Sequence, residues 1–281
     1  MTGLAPAAAS PAGRIAGARS ALFVPGDRPE RFAKAAASGT DLVIIDLEDA
    51  VAAEHKTLAR QHMAQWLADE GQAAVRINAV PSEHYHDDWS ALVEKPGLLA
   101  VMVPMAEDPL ALAGLAGDLD GRVPVIALIE TALGVVRARE IAEVEGVVRL
   151  GIGHLDLAVD LGSSDNRTAL LLSRSTLVLA SRAAGIAGPM DGVTTALDDV
   201  GVCIDDARYA RELGFSGKLA IHPTQVEPVN TAFSPSEDEV AWAEKVIEVA
   251  GQDGSAVRVD GQMVDPPVID MARQTLARAW R

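Results

Sequence analysis

Val123–Glu130, VPVIALIE, and Val147–Asp156, VVRLGIGHLD, set the frame for the chain. Each is an apolar run that closes on a carboxylate, Glu130 in the first and Asp156 in the second. A continuous apolar run bounded by turn signals reads as a strand buried on both faces, which points to a parallel sheet. The residues between, Thr131 to Val144, are long enough for the crossover helix that parallel strands need. The two acids then fall at the C-terminal ends of neighbouring strands, the edge at which α/β barrels do their chemistry. Two oxygen ligands there suit Mg²⁺, which takes one or two protein carboxylates and leaves its other positions to water and substrate. A pair of solvated loop acids is the alternative.

Working outward, apolar strand-like runs recur at Ala21–Pro25, Leu42–Leu47, Ala74–Ile77, Leu99–Val103, Val123–Ile129, Val147–Ile152, Ala183–Val193 (weaker) and Leu219–Ile221. Helix-compatible stretches lie between most of them: Pro29–Ala37, Glu54–Ala68, Thr131–Glu143, Thr168–Ala184 and Ile204–Leu213. Eight strands alternating with helices predict a TIM (β/α)₈ barrel. An open doubly wound sheet is the alternative, but no G-x-G-x-x-G opens a helix after the first strand and no P-loop is present. After Pro235 the pattern turns helical over Glu237–Val249, passes a polar turn, and ends in a last helix to Trp280. The expected organisation is a flexible segment over 1–18, a barrel over 19–250, and a C-terminal helical extension over 251–281 that packs on its own barrel or on a neighbouring subunit.

Composition narrows the function. The 281 residues are 49% hydrophobic and 23% charged, ordinary for one large globular domain. A formal net charge of −16 argues against nucleic acid and anionic membrane as partners. The single cysteine, Cys203, forbids an internal disulfide framework and suits a reducing compartment, the cytoplasm. It has no evident activating partner and reads as structural. No apolar run of about 18 residues marks a membrane span. The first 20 residues lack the apolar middle of a secretory signal and read as a floppy terminus.

The remaining strand ends carry the other candidates. Asp27 after the first strand reads as an N-cap, with Pro29 in the first turn and Glu30 at a capping-box-like spacing. Arg28, Arg31 and Lys34 follow, so five basic and two acidic residues between Arg14 and Lys34 form a positive patch on an acidic chain. At the active edge that is a site for an anion such as phosphate; a solvated amphipathic helix is the alternative. The second strand ends in Asp46, Glu48 and Asp49. Three acids around a buried strand end need a cation or a basic partner, and they could hydrogen-bond the waters of a metal. Alternation sets Asp46 and Glu48 on one face and Asp49 on the other. Arg76, inside an apolar run, suits a carboxylate, from substrate or from those acids. His84–Asp88, HYHDD, has a metal-like composition but reads as a surface loop. His222 either contacts substrate or is a satisfied structural histidine.

Taken in order, SALFVPGDRPERFAKA, DLVIIDLEDAV, VRIN, VMVPMAE, ALIETALGV, GIGHLDLAVDLG, GFSGKLAIHPTQV and DGQMVDPPV resemble the citrate lyase beta-subunit-like branch of the HpcH/HpaI aldolase superfamily, which includes malyl-CoA and citramalyl-CoA lyases. The resemblance runs from about Arg19 to the C-terminus. It implies Mg²⁺, with Mn²⁺ as an alternative ion, on Glu130 and Asp156, and a keto-acid carboxylate on Arg76. It implies coenzyme A or acyl contacts at Phe23, Arg28 and Lys34, and further ligand contacts at Leu155, Asp156, Ile221 and His222. It implies Asp265 as an acid/base acting from a neighbouring subunit of a trimer or hexamer. Two departures stand out: the branch usually has Pro-Lys where this chain has Pro104-Met105, and an acid where it has Leu155. The implied activity is metal-dependent cleavage, or formation, of a 3-hydroxyacyl-CoA to a short acyl-CoA and a 2-keto acid. A class II aldolase on free hydroxy-keto acids is one alternative. A non-catalytic subunit that binds acyl carrier protein or acyl-CoA is another.

Overall fold

The computed structural model describes residues 10–69, 71–249, 257–259 and 262–279. Eight parallel strands close into a barrel in sequence order: β1 Ser20–Pro25, β2 Leu42–Asp46, β3 Ala73–Arg76, β4 Leu98–Val103, β5 Val125–Ile129, β6 Val147–Ile152, β7 Ala187–Asp191 and β8 Gly217–Ala220. Closure is made by β8 against β1, in the register Ser20–Lys218, Ala21–Leu219, Leu22–Ala220. Closure removes every exposed edge of this sheet, so its strands can be apolar on both faces. Inside, Ile44, Ala74, Met102, Ile126, Leu128, Met190 and their neighbours form a continuous buried core.

The helices in chain order are α1 Pro11–Gly17, α2 Phe32–Ala36, α3 Lys56–Ala68, α4 Tyr85–Leu92, α5 Pro109–Asp118, α6 Ala132–Val136, α7 Ala138–Ala142, α8 His154–Leu161, α9 Leu171–Ala184, α10 Val200–Leu213, α11 Val226–Phe233, α12 Glu237–Val249 and α13 Pro266–Ala279. The expected barrel is present; several expected boundaries move for local reasons. The strand anticipated over Ala183–Val193 begins only at Ala187. Gly185 (φ +73°) takes the left-handed C-cap of α9, and Ile186 N–H returns to the Ser181 carbonyl, so helix fills the front of that stretch. The helix expected over Thr131–Glu143 breaks into α6 and α7 at Arg137. Asp27 does not cap: a 3₁₀ turn over Pro29–Arg31 precedes α2, its N-cap is Arg28, and the Asp27 carboxylate sits 3.2 Å from His55 Nδ1.

The flexible segment expected over residues 1–18 gives way in its second half. Ser10 caps α1 through the Gly13 N–H, and Ile15 is fully buried in the barrel core. Arg149 on β6 anchors the segment. Its side chain is fully buried and donates to the carbonyls of Ile15, Ala18 and Gly188 and to Ser216 Oγ. A buried guanidinium needs its donors satisfied, and the N-terminal turn supplies carbonyls.

The chain divides into two compact units, Met1–Asn230 and Thr231–Arg281. In the second unit α12 and α13 bury Ala243, Val246, Val264, Ile269 and Ala272 between them, beside a two-stranded antiparallel ribbon, β9 Val257–Val259 and β10 Gln262–Val264. Among the described residues no helix is long and apolar enough to cross a membrane.

Candidate active site

β5 and β6 are paired from Val125–Val147 to Ile129–Ile152, so their C-terminal ends lie side by side. Glu130 follows β5 directly and is 3% exposed. Asp156 is not at the strand end as expected: Gly153 caps α8, and Asp156 sits in its first turn. Both carboxylates nevertheless line one cleft of about 320 Å³. Gly153 leaves the Glu130 carboxylate its place in that cleft, since a Cβ there would collide with it. Met105, in the left-handed region at φ +49°, aims its backbone N–H at Glu130 Oε2 at 2.9 Å. A non-glycine residue there is strained, and strain of this kind concentrates at functional sites.

Across the cleft, Arg76 ends β3, whose partner residue in β2 is Asp46. Arg76 Nε and Nη2 fork onto Asp46 at 2.8 and 2.6 Å, while Nη1 approaches Glu48 at 2.9 Å and Asp49 at 3.3 Å. Thus all three acids converge on one guanidinium. The expected alternation fails because β2 stops at Asp46 and the chain turns there, with Glu48 N–H and Ala50 N–H returning to the Asp46 carboxylate. Arg76 also lies over the Phe23 ring at 4.9 Å. Both alternatives for Arg76 therefore meet in one place: it is a buried ion pair and it lines the cleft.

The electrostatics are lopsided. Asp46, Asp49, Glu130 and Asp156 line the cleft, Glu48 adjoins them, and among the described residues Arg76 is the one Lys or Arg in the lining. Burial works against the Arg76 charge, but Asp46, Glu48 and Asp49 outweigh it and hold the guanidinium above its ordinary range. Burial pushes Glu48 up to about 8, with Arg76 opposing. Burial likewise pushes Glu130 up to about 7, opposed by the Met105 N–H and Arg76 and reinforced by Asp156. Carboxylates short of positive charge suit a cation. Among the described residues no group of three or more His, Cys, Asp or Glu could hold a metal ion. A cation on Glu130 and Asp156 would thus take two protein ligands and complete its shell from water and substrate, the habit of a hard divalent ion.

Phe23 and Ile221 also line a second cleft of about 470 Å³, together with Arg31, Lys34 and His222. Of the three basic residues named for this patch, Arg31 and Lys34 line the cleft, three residues apart on one helical face; Arg28 is not in the lining and stands 3.8 Å from Asp27. His222 caps the following 3₁₀ turn, with Nδ1 2.8 Å from Thr224 Oγ1, and still lines the cleft. Leu155, 37% exposed, and Ile221, 40% exposed, line the first cleft. Asp265 belongs to the second unit, where it opens α13 and Oδ1 accepts the Val268 N–H.

Three parts of the site were not anticipated. His154 lines the first cleft with its Nδ1 buried and pressed toward Gly192. Burial pulls its imidazole below the ordinary range, against Asp191 and with Arg174 and Lys218. Behind it, Asp191 is held by Arg174 at 2.9 Å and Lys218 at 3.1 Å. Lys56, read as an ordinary helix residue, is buried and donates to the Leu47 and Glu48 carbonyls and to Asn78 Oδ1. Asp88, expected in a surface loop, is fully buried in α4 and accepts from Asn78 N and Nδ2 at 2.8 and 2.6 Å. Lys56, Asn78 and Asp88 thereby brace the β2 and β3 ends that carry the acids and Arg76. Cys203, read as structural, is buried, and burial raises its thiol.

The site is thus an acid-rich cleft at the C-terminal mouth of an eight-stranded α/β barrel, with Arg76 the one Lys or Arg lining it among the described residues and a carboxylate pair able to take a divalent cation. The pattern of the HpcH/HpaI aldolase/citrate lyase family matches residues 19–223, and the chain belongs to that family. It is 39% identical over 265 residues to a citrate lyase subunit beta-like protein of Mycobacterium tuberculosis, covering 92% of this chain and 94% of the relative. It is 38% identical over 273 residues to a (3S)-malyl-CoA thioesterase of Cereibacter sphaeroides, covering 93% and 94%. A solved structure of the CitE protein from M. tuberculosis, in complex with magnesium, acetoacetate and coenzyme A, superposes with a TM-score of 0.84 at 38% identity, over 95% of this chain and all of that one.

Proposed function

We propose that the chain is a Mg²⁺-dependent carbon–carbon lyase that cleaves, or forms, a 3-hydroxyacyl-CoA, giving a short acyl-CoA and a 2-keto acid. The observation that carries this reading is the joining of two clefts. The acid-rich one holds Glu130, Asp156 and Arg76, and it shares Phe23 and Ile221 with a basic one holding Arg31 and Lys34. The first suits the reacting acid, the second the phosphates of coenzyme A. The M. tuberculosis relative with magnesium and coenzyme A supports the pairing.

Glu130 and Asp156 would hold the ion. When bound, a divalent ion acts as a Lewis acid on the substrate oxygens, worth several kcal/mol of developing charge. Arg76 orients the substrate carboxylate through its outward Nη1, where the exposed Asp49 is the weakest of its present partners at 3.3 Å. The apolar wall of Leu128, Ile152 and Leu219 excludes water from the breaking bond. A base takes the hydroxyl proton, the C–C bond breaks to the keto acid and the acyl-CoA enolate, and a proton returns to that carbon. The base we assign is Asp265 from a neighbouring subunit of a homotrimer or hexamer in the cytoplasm.

A second reading is favoured by the thioesterase relative: hydrolysis of the thioester in the same site. Products separate the two. With Mg²⁺ and malyl-CoA or citramalyl-CoA, a lyase releases a keto acid and a shorter acyl-CoA; a thioesterase releases free coenzyme A and the intact hydroxy acid. Finding only the latter rejects the lyase.

Two expectations follow for the basic cleft and for pH. Arg31→Glu with Lys34→Glu raises KM for acyl-CoA at least tenfold and leaves kcat within about twofold, because phosphate contacts bind ground and transition states alike; unchanged KM removes coenzyme A from this cleft. Glu130 titrates near 7 when folded against 4.5 ordinarily. The folded metal-free protein thus retains a proton that the unfolded chain releases, so its stability contribution is full below about 4.5 and is lost as pH rises toward 7. The difference is worth roughly 3 kcal/mol. In thermal unfolding with chelator, Tm therefore falls from pH 5 to pH 8 more in the wild type than in Glu130→Gln, and Mg²⁺ restores it more at pH 8. Equal slopes in the two proteins contradict this.

A further inference from the structure

One wall serves both clefts, and its two halves are held by different means. Phe23 and Ile221 line the acid-rich cleft and the basic cleft alike. Phe23 sits within β1, in register with Ile44 of β2, and the sheet ladder fixes it. Ile221 lies past the ladder. β8 ends at Ala220; its last rung with β1 is Leu22–Ala220, and its last rung with β7 is Asp191–Lys218. Strand pairing therefore sets neither Ile221 and His222 nor, beyond the end of β7, Val193 and Thr194.

A buried side chain takes over there. Gln225, 3% exposed, reaches back from the 3₁₀ turn Pro223–Gln225. Its Oε1 accepts the Ile221 N–H at 2.9 Å and the His222 N–H at 3.3 Å, and its Nε2 donates to the Thr194 carbonyl at 2.8 Å. The amide thus serves as one extra peptide unit between the ends of β7 and β8. Thr194 is itself buried and is tied through Oγ1 to Asp206 of α10 at 2.8 Å. A glutamine that only capped the turn needs the His222 N–H alone; the bonds to Ile221 and Thr194 exceed that role. The geometry points to Gln225 as a positioning residue that fixes the wall common to the two subsites, acting through Ile221, His222 and Val193, the neighbour of Thr194. The inference rests on the two-cleft reading and adds to it that one buried amide sets the affinity for both halves of the substrate.

The test is calorimetric binding of acetyl-CoA, and separately of pyruvate, to the full-length protein in MgCl₂, with folding checked by thermal melts. Gln225→Glu is the discriminating variant. Glu serves at the same capping-box position, so the acceptor for Ile221 and His222 remains, while the donor to Thr194 is gone and two acceptors face each other. Gln225→Glu binds both probes at least about fivefold more weakly, the worth of one net hydrogen bond. Gln225→Met removes donor and acceptor together without placing a charge; it loses at least as much and is the second variant should the first fail to fold. A residue that only capped the turn would shift Tm and leave both affinities alone. Unchanged affinity for both probes in a folded variant, or a loss for one probe only, overturns the inference and leaves the lyase reading standing. Failure of the wild type to bind acetyl-CoA, or to bind pyruvate, overturns the two-cleft reading itself.

Discussion

Glu130→Gln and Asp156→Asn each lower metal-dependent turnover by at least about 10³-fold. The variants are isosteric, so the cleft keeps its shape and loses one negative ligand. If the ion has only two protein ligands, losing one halves its hold on the chain, and the transition-state charge it stabilises, about 4 kcal/mol or more, goes with it. The stability signature runs the other way. Glu130 is buried beside Asp156 and, among the described residues, forms no ion pair of its own; its Oε2 rests on the Met105 N–H. Amidation removes a buried charge cost that function requires. Glu130→Gln therefore unfolds at an equal or higher Tm than wild type in chelator and gains nothing from added Mg²⁺, where the wild type gains several degrees. Turnover within tenfold of wild type in both variants, with metal stripped, would sink the metal reading.

The barrel was legible because its strands are buried on both faces. VIALI over β5 and LLAVMV over β4 have no other soluble home than a parallel sheet covered by helices. The closing step, β8 onto β1, was legible only by counting to eight. What escaped the sequence was geometry that depends on distant backbone. Asp156 lies on a helix because Gly153 caps it, and a glycine alone does not say which turn follows. Asp88 is indistinguishable in sequence from its neighbour Asp87, which is exposed; burial follows from the β3 end, where Asn78 needs an acceptor for two donors. Ile15 looked like one apolar residue in an Ala/Gly/Pro tail, and its seat exists because Arg149, more than 130 positions away, offers donors to that turn. Arg31 and Lys34, named together in the basic patch, were legible because they stand three residues apart and so share a helical face.

The same distance problem makes Arg76 the sharper test of how structure and function divide. Arg76→Met leaves Asp46, 1% exposed, with two backbone N–H groups and no cation, and brings Glu48 and Asp49 close to it uncompensated. Removing one partner of a buried pair typically costs about 3–5 kcal/mol. Arg76→Met should therefore melt well below wild type and lose most of its turnover at sub-saturating keto acid. A purely structural arginine would predict the same, so the discriminating protein is Arg76→Met with Asp46→Asn. The introduced amide keeps one acceptor for the turn and carries no charge, so most of the lost stability returns. The KM for keto acid does not recover and stays raised roughly 10- to 100-fold, because the substrate carboxylate still lacks the charge-assisted contact, worth about 1.5–3 kcal/mol. Recovery of both properties in the double variant would reduce Arg76 to a brace for the β2 turn. Recovery of stability alone places the guanidinium on the substrate, with Asp46 as the acid that holds it in position.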